Sequence, residues 1–227
     1  MDWILHYQLY LFDLDGLLVN TEEIHFEAYK QMLKGRGYHL PWDFPKYFSI
    51  AQQDAEAPKR YIYAEFPKLL QDEPDWAVLY AEKKACYQKL LETTEAPLMP
   101  GVEPFLEKLA INKKKRAVVT HSALTFVEAL RKKNPTLSLI DHWITREDYS
   151  LPKPAPDGYL RAIELLADPG DKIIGFEDSS RGLRSLLQTP AKAILINPFD
   201  NALKSQYREQ GVQVFSSFEE LNASRCF

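Results

Sequence analysis

Phe12-Asp13-Leu14-Asp15-Gly16 is the stretch on which the fold turns. It closes the apolar run Tyr10 to Phe12. Side chains alternate faces along a strand, so Asp13 and Asp15 start on one side with Leu14 opposite. Gly16 then frees the backbone to turn. Two carboxylates this close repel, and one pKa rises, unless a cation stands between them. A divalent metal is such a cation. Magnesium suits a site of hard oxygen ligands built from one or two carboxylates, waters and phosphate oxygens. The same five residues also fit a strand end with two solvated Asp side chains before a turn glycine, so the decision rests on what the rest of the chain supplies.

Working outward, the spacing predicts a first strand over Gln8 to Leu14 and a helix from Thr21, with Ile24, Ala28, Met32 and Leu33 on one face. Thr21 reads as its N-cap, with Glu22 and Glu23 favourable in the first turn, and Gly35 and Gly37 end it. Tyr38 to Pro58, interrupted by Pro41 and Pro45, has no clear period. A helix is expected from near Pro58 to Phe66, and a long one beyond Asp75 with Trp76, Tyr80, Tyr87 and Leu91 on one face. No strand pattern interrupts Thr21 to Ala96, which reads as a helical insert.

After Pro97 the texture changes to helices alternating with short apolar strands. Helices are expected at Gly101 to Ile111, Leu124 to Lys133, Pro156 to Ala167 and Ser180 to Gln188. Strands are expected at Arg116 to Thr120, His142 to Thr145, Lys172 to Phe176 and Lys192 to Ile196, with a last edge strand at Gln213 to Phe215. Such alternation implies right-handed crossovers, hence a mostly parallel α/β sheet covered on both faces. Ligands in such sheets bind at the carboxyl ends of the strands. No GxGxxG follows the first strand and no GxxxxGK[ST] occurs, which leaves a dinucleotide site and a P-loop unsupported.

Composition narrows the class further. The 227 residues are 45% hydrophobic and 12% aromatic, enough for a substantial core, and the formal net charge of −4 gives no general pull toward nucleic acid or anionic membrane. The basic run Lys113-Lys114-Lys115-Arg116 directly precedes the apolar Ala117-Val118-Val119 and reads as a solvated helix-to-strand connection. Cys86 and Cys226 are too few for a disulfide framework, so a reducing, cytoplasmic setting is expected. No signal peptide and no membrane span is read.

Polar residues cluster at the predicted strand ends: Thr120 and Ser122, Lys153 in the loop before a helix, and Glu177-Asp178. Each alone fits a cap or a solvated surface residue. Together with the Asp pair they supply a nucleophile, an acid/base, hydroxyls, a cation and acidic metal ligands, the parts phosphoryl transfer needs.

Four ordered pieces carry a resemblance: FDLDGLLVNTE at Phe12 to Glu22, VVTHS at Val118 to Ser122, KPAPDGYL at Lys153 to Leu160, and GFEDSSRG at Gly175 to Gly182. The chain resembles the haloacid dehalogenase superfamily, on its phosphatase and β-phosphoglucomutase-like side. The resemblance implies a Rossmann-like core of residues 1–19 and 97–227 and an α-helical cap of residues 20–96. It implies that Asp13 is the nucleophile that becomes an aspartyl phosphate and Asp15 the general acid/base. Thr120, His121, Ser122, Lys153 and His25 would bind the substrate and its phosphate, with Lys153 bridging Asp13 and the phosphoryl group. Mg²⁺ would be held by the Asp13 and Asp178 carboxylates, the Asp15 backbone carbonyl, and Glu177 directly or through water. His25 stands where the mutase branch places a hinge His, although a His on an amphipathic helix is more often packed or solvated.

Departures from the family pattern are Asn20, where many relatives carry Asp, and His121, where a small or amide residue is usual. A Gly-x-Ser-Arg-like pattern is missing between Phe44 and Lys59. The expectation is a monomeric, Mg²⁺-dependent phosphatase of a small phosphorylated metabolite. Rival readings are a phosphosugar mutase and a receiver-like signalling module, the latter disfavoured by the first-strand Asp pair and the helical insert.

Overall fold

The computed structural model describes residues 2–198 and 201–224; Cys226 lies outside them, and Cys86 is a free thiol. The chain divides into two compact units, one formed by Met1–Asn20 with Pro97–Phe227 and the other by Thr21–Ala96.

The first unit is built on a six-stranded sheet ordered β3-β2-β1-β4-β5-β6, parallel throughout. Its strands are β1 (Leu9–Phe12), β2 (Lys115–Val119), β3 (His142–Ile144), β4 (Ile173–Glu177), β5 (Lys192–Ile196) and β6 (Gln213–Phe215). Helices α6 (Val102–Ile111), α7 (Leu124–Lys133), α8 (Asp157–Leu166), α9 (Ser180–Leu186) and α10 (Asn201–Glu209) connect them, and α11 (Phe218–Ala223) follows β6. Strand β1 is central and buried on both faces, as strands of all-parallel sheets are. Its alternation decides which side chain serves which layer. Leu9 and Leu11 pack with Ala117, Val119, Tyr159 and Ala162. Tyr10 and Phe12 face an aromatic layer in which Phe12 stacks on Phe176 at 5.2 Å and Phe105 lies edge-on to Phe176 at 5.6 Å. Full burial of each such ring contributes roughly 1.5–3 kcal/mol.

Register places the ends of β1 and β4 side by side: Phe12 pairs with Phe176, and Asp13 N donates to Phe176 O at 3.1 Å. Each acidic motif therefore follows directly on a buried strand. Gly16, at φ 81°, makes the turn out of β1, a conformation that side chains with a Cβ rarely adopt. The segment then runs back along itself, with Gly16 N donating to Val19 O at 2.9 Å and Asn20 N to Pro97 O at 2.9 Å.

The second unit comprises α1 (Glu22–Gly35), α2 (Phe44–Ala51), α3 (Ala57–Glu65), α4 (Pro67–Asp72) and α5 (Trp76–Thr93) around a core including Tyr29, Leu33, Trp42, Phe48, Ile62 and Leu79. Among the described residues no helix is long and apolar enough to cross a membrane.

Several local expectations need correction. Thr21 precedes α1 but makes no side-chain cap, since its backbone is already near helical at φ −104°, ψ −11°. The unread stretch 38–58 contains α2, whose Asp43 side chain accepts from Lys46 N at 2.9 Å. Pro45 falls in its first turn, where the missing N–H costs nothing. On α5 the buried stripe is Leu79, Lys83, Tyr87 and Leu91, whereas Tyr80 is 38% exposed. The basic run is a helix-to-strand connection, as expected, with Lys113 exposed, but it is not solvated throughout. Lys114 Nζ donates to Tyr7 O at 2.8 Å, Lys115 pairs with Asp168 and Asp171, and buried Arg116 pairs with Asp141 at 2.6 Å. Glu177, read as lying beyond its strand, is the last residue of β4 and fully buried.

Candidate active site

At the carboxyl ends of β1, β2 and β4 the sheet assembles two linked polar groups. The first centres on Lys153, which the 8% exposure of the whole residue marks as buried. Its ammonium donates to Asp13 Oδ1 at 2.5 Å, Glu177 Oε1 at 2.6 Å and Val119 O at 2.9 Å. Burial alone would lower the Lys153 pKa, but the Asp13 and Glu177 carboxylates outweigh it and hold the ammonium charged well above its ordinary range. Burial pushes Asp13 up to about 7 against the pull of Lys153, with Glu177 and Asp15 adding to the rise.

The second group centres on Asp15. Ser122 Oγ donates to Asp15 Oδ2 at 2.6 Å and Thr120 Oγ1 donates to the same oxygen at 3.2 Å. Thr120 Oγ1 in turn accepts from Ser122 N at 3.0 Å. The short turn after β2 thus aims two hydroxyls at one carboxylate, while Asp13 is aimed at an ammonium. Carboxylates two residues apart are given different partners, the arrangement that lets them take different roles.

One oxygen from each of the buried Asp13, Glu177 and Asp178 can lie within 4.8 Å of the others. These are hard donors, and Lys153 supplies one positive charge against three negative ones. The donor set and its charge excess fit a divalent cation of the magnesium type. The Asp15 carboxylate is not among the three, since it is taken up by Ser122 and Thr120. Asp178 is steadied through its backbone: buried Asn197, directly after β5, donates Nδ2 to Asp178 O at 2.7 Å.

The remaining expected residues are placed as follows. His121 is exposed on the turn after β2, its Nδ1 3.3 Å from the Tyr149 hydroxyl, which donates to Thr120 O at 2.9 Å. His25 belongs to the helical unit, where its ring stacks on Tyr87 at 4.1 Å and its Nδ1 lies 2.7 Å from Lys83 Nζ. Lys83 is buried beneath the rings of Tyr29 and Tyr87, at 5.0 and 5.1 Å.

Sequence reasoning missed Tyr159, Tyr149, Asn197 and Lys83. Tyr159 was visible inside KPAPDGYL but passes for ordinary helix packing. Lys83 had one signal, its place four residues from both Leu79 and Tyr87 on α5.

The family of haloacid dehalogenase-like hydrolases matches residues 10–196. Validoxylamine A 7'-phosphate phosphatase of Streptomyces hygroscopicus subsp. limoneus is 30% identical, covering 78% of this chain and 79% of the relative. Protein CbbY of Rhodobacter capsulatus is 25% identical, covering 82% and 83%. The crystal structure of CbbY from Rhodobacter sphaeroides in complex with phosphate superposes with a TM-score of 0.73 at 25% identity, covering 95% of this chain and 96% of that one. The chain belongs to the haloacid dehalogenase-like hydrolase family. Within it, the chain stands with the phosphoric monoester hydrolases.

Proposed function

We propose that the protein is a Mg²⁺-dependent phosphatase that hydrolyses a small phosphate monoester, of the sugar phosphate kind, through an aspartyl phosphate on Asp13. The observation that carries the reading is the split between the two carboxylates: Asp13 on the Lys153 ammonium, Asp15 on the Thr120 and Ser122 hydroxyls.

In this reading an Asp13 carboxylate oxygen attacks phosphorus while the bond to the leaving oxygen breaks, and Asp15 gives its proton to that oxygen. Asp15 then takes a proton from water as the water oxygen attacks phosphorus, and the bond to Asp13 breaks to restore the carboxylate. Lys153 pulls against the burial that favours a protonated Asp13 and offsets the charge of the phosphoryl oxygens. Hydroxyls rotate freely about their C–O bonds, so Thr120 and Ser122 can turn from Asp15 to a phosphoryl oxygen as Asp15 changes protonation. Asp13 and Asp178 would hold the cation, with Glu177 beside them and the Asp15 backbone carbonyl as a further ligand. When bound, the cation supplies charge neutralisation for the phosphate dianion and fixes its approach.

Phosphate release from p-nitrophenyl phosphate and from a panel of sugar phosphates tests the reading. Turnover that requires Mg²⁺ and disappears in Asp13→Asn is expected. Turnover undiminished by a chelator, or retained in Asp13→Asn, refutes it.

A second reading, internal phosphoryl transfer in a phosphosugar, rests on His25, which stands where the resemblance to the mutase branch places a hinge His and stacks on Tyr87 at 4.1 Å. Incubation with β-glucose 1-phosphate and a trace of the bisphosphate separates the two. Glucose 6-phosphate accumulating with little free phosphate establishes transfer.

A further inference from the structure

We propose that Tyr159 is a positioning residue of the site: its hydroxyl occupies Glu177 Oε1 and thereby keeps the Lys153 ammonium on Asp13. The inference rests on the hydrolase reading above and assigns a residue which that mechanism does not use.

A lysine ammonium has three N–H groups. Those of Lys153 are spent on Asp13 Oδ1 at 2.5 Å, Glu177 Oε1 at 2.6 Å and Val119 O at 2.9 Å. Its fourth contact, to the Tyr159 oxygen at 3.3 Å, is the longest of these. The phenol, which can accept through a lone pair and donate its own proton, donates to Glu177 Oε1, 2.5 Å away. A phenol is a hydrogen-bond donor at neutral pH.

Glu177 has few other resources. Its Oε2 is buried without a hydrogen-bond partner among the described residues and lies against the backbone of Gly182, where an added Cβ would sit 2.0 Å from it. Tyr159 is thus one of two donors to a fully buried carboxylate, and the other is the ammonium that Asp13 also needs. Without the phenol, Glu177 Oε1 would keep Lys153 as its one side-chain donor among the described residues, and the flexible lysine stem would let the ammonium follow it away from Asp13. Tyr159 is itself held in place. Its ring packs with Leu11, Val119 and Ala162, contacts that a phenylalanine retains.

The test is a double-mutant cycle on the full chain, comparing wild type, Tyr159→Phe, Glu177→Gln and the double variant. Each is read by kcat and KM on p-nitrophenyl phosphate at saturating Mg²⁺, and by the calorimetric dissociation constant of inorganic phosphate. The second readout serves if Glu177→Gln is too slow to assay. Tyr159→Phe is expected to melt close to wild type, lower kcat about tenfold, leave KM within about twofold, and weaken phosphate binding. In the Glu177→Gln background the same change should alter kcat and phosphate affinity less than about twofold, because the group through which Tyr159 acts is gone. Equal effects in both backgrounds, wild-type kcat in Tyr159→Phe, or a Tyr159→Phe protein that does not fold would overturn the inference. A wild-type protein that neither turns over any ester nor binds phosphate would instead refute the hydrolase reading, and this inference with it.

Discussion

Gly182→Ala tests the packing behind the site. A Cβ at Gly182 would lie 2.0 Å from Glu177 Oε2 and 2.1 Å from its carboxyl carbon, where ordinary contact begins near 3.4 Å. The carboxylate would have to withdraw by more than an ångström. It cannot do so freely, because Glu177 is fully buried and its other oxygen is fixed by Lys153 at 2.6 Å and Tyr159 at 2.5 Å. Overpacking of this kind costs about 1–3 kcal/mol. Weakening a hydrogen bond to a charged group costs about 1.5–3 kcal/mol. A loss of roughly 3 kcal/mol lowers Tm by about 6–12 °C in a chain of this size. Displacement by an ångström of groups that position a reacting atom reduces turnover on the order of a hundredfold. The assay pairs a thermal melt with steady-state kinetics on p-nitrophenyl phosphate in Mg²⁺. Gly35→Ala is the control. Gly35 is the last residue of α1 and a Cβ there meets nothing within 4 Å, so the change should be neutral or stabilising by up to about 1 kcal/mol with activity unchanged. Gly182→Ala with wild-type Tm and kcat would show that Glu177 is not wedged as described.

Lys153→Ala should lower kcat at least a hundredfold, since it leaves Asp13 and Glu177 buried without their shared cation; activity within tenfold of wild type would misplace the phosphoryl group. Asp15→Asn should slow turnover strongly while Asp13→Asn abolishes it, because the first removes a proton carrier and the second the nucleophile; equal residual rates would contradict the division of roles. The chelated protein should be more stable at pH 6 than at pH 8. With its pKa pushed up to about 7, Asp13 holds a proton in the folded state that it has already lost in the unfolded chain, so this contribution is present at low pH and is lost as pH rises through 7. Asp13→Asn should flatten that dependence, and an unchanged slope in chemical denaturation would refute it.

The parallel sheet and its strand-end motifs were legible because β1, β4 and β5 are short apolar runs, and the next polar residues are the ones the chemistry needs. Glu177 and Asp178 stand at such a boundary, as do Asp13 and Asp15. The helical unit was less legible because its core is aromatic and aperiodic. Tyr80 looked like a member of the buried stripe of α5, yet the position is taken by Lys83, whose charge is satisfied by ring faces and a His nitrogen that no periodicity rule anticipates. Arg116 was misread for a similar reason. Its place in a basic run suggested solvent, but as the second residue of β2 it faces inward and pairs with Asp141. Tyr159 could not be singled out without coordinates, since only the distances show that its hydroxyl meets Glu177.

The hydrogen bond from Asn20 N to Pro97 O ties together the two points at which the chain leaves and rejoins the sheet-bearing unit. The same two segments are also joined by Met99 N donating to Leu18 O at 2.9 Å. The α/β unit therefore sees the helices as a loop whose ends are already touching, and lengthening such a loop adds little closure entropy, about 0.6 kcal/mol for each doubling. This makes the helical segment an interchangeable part. Insertions, deletions or wholesale replacement between Asn20 and Pro97 can accumulate without disturbing the β1–β4 register that brings Asp13 beside Glu177.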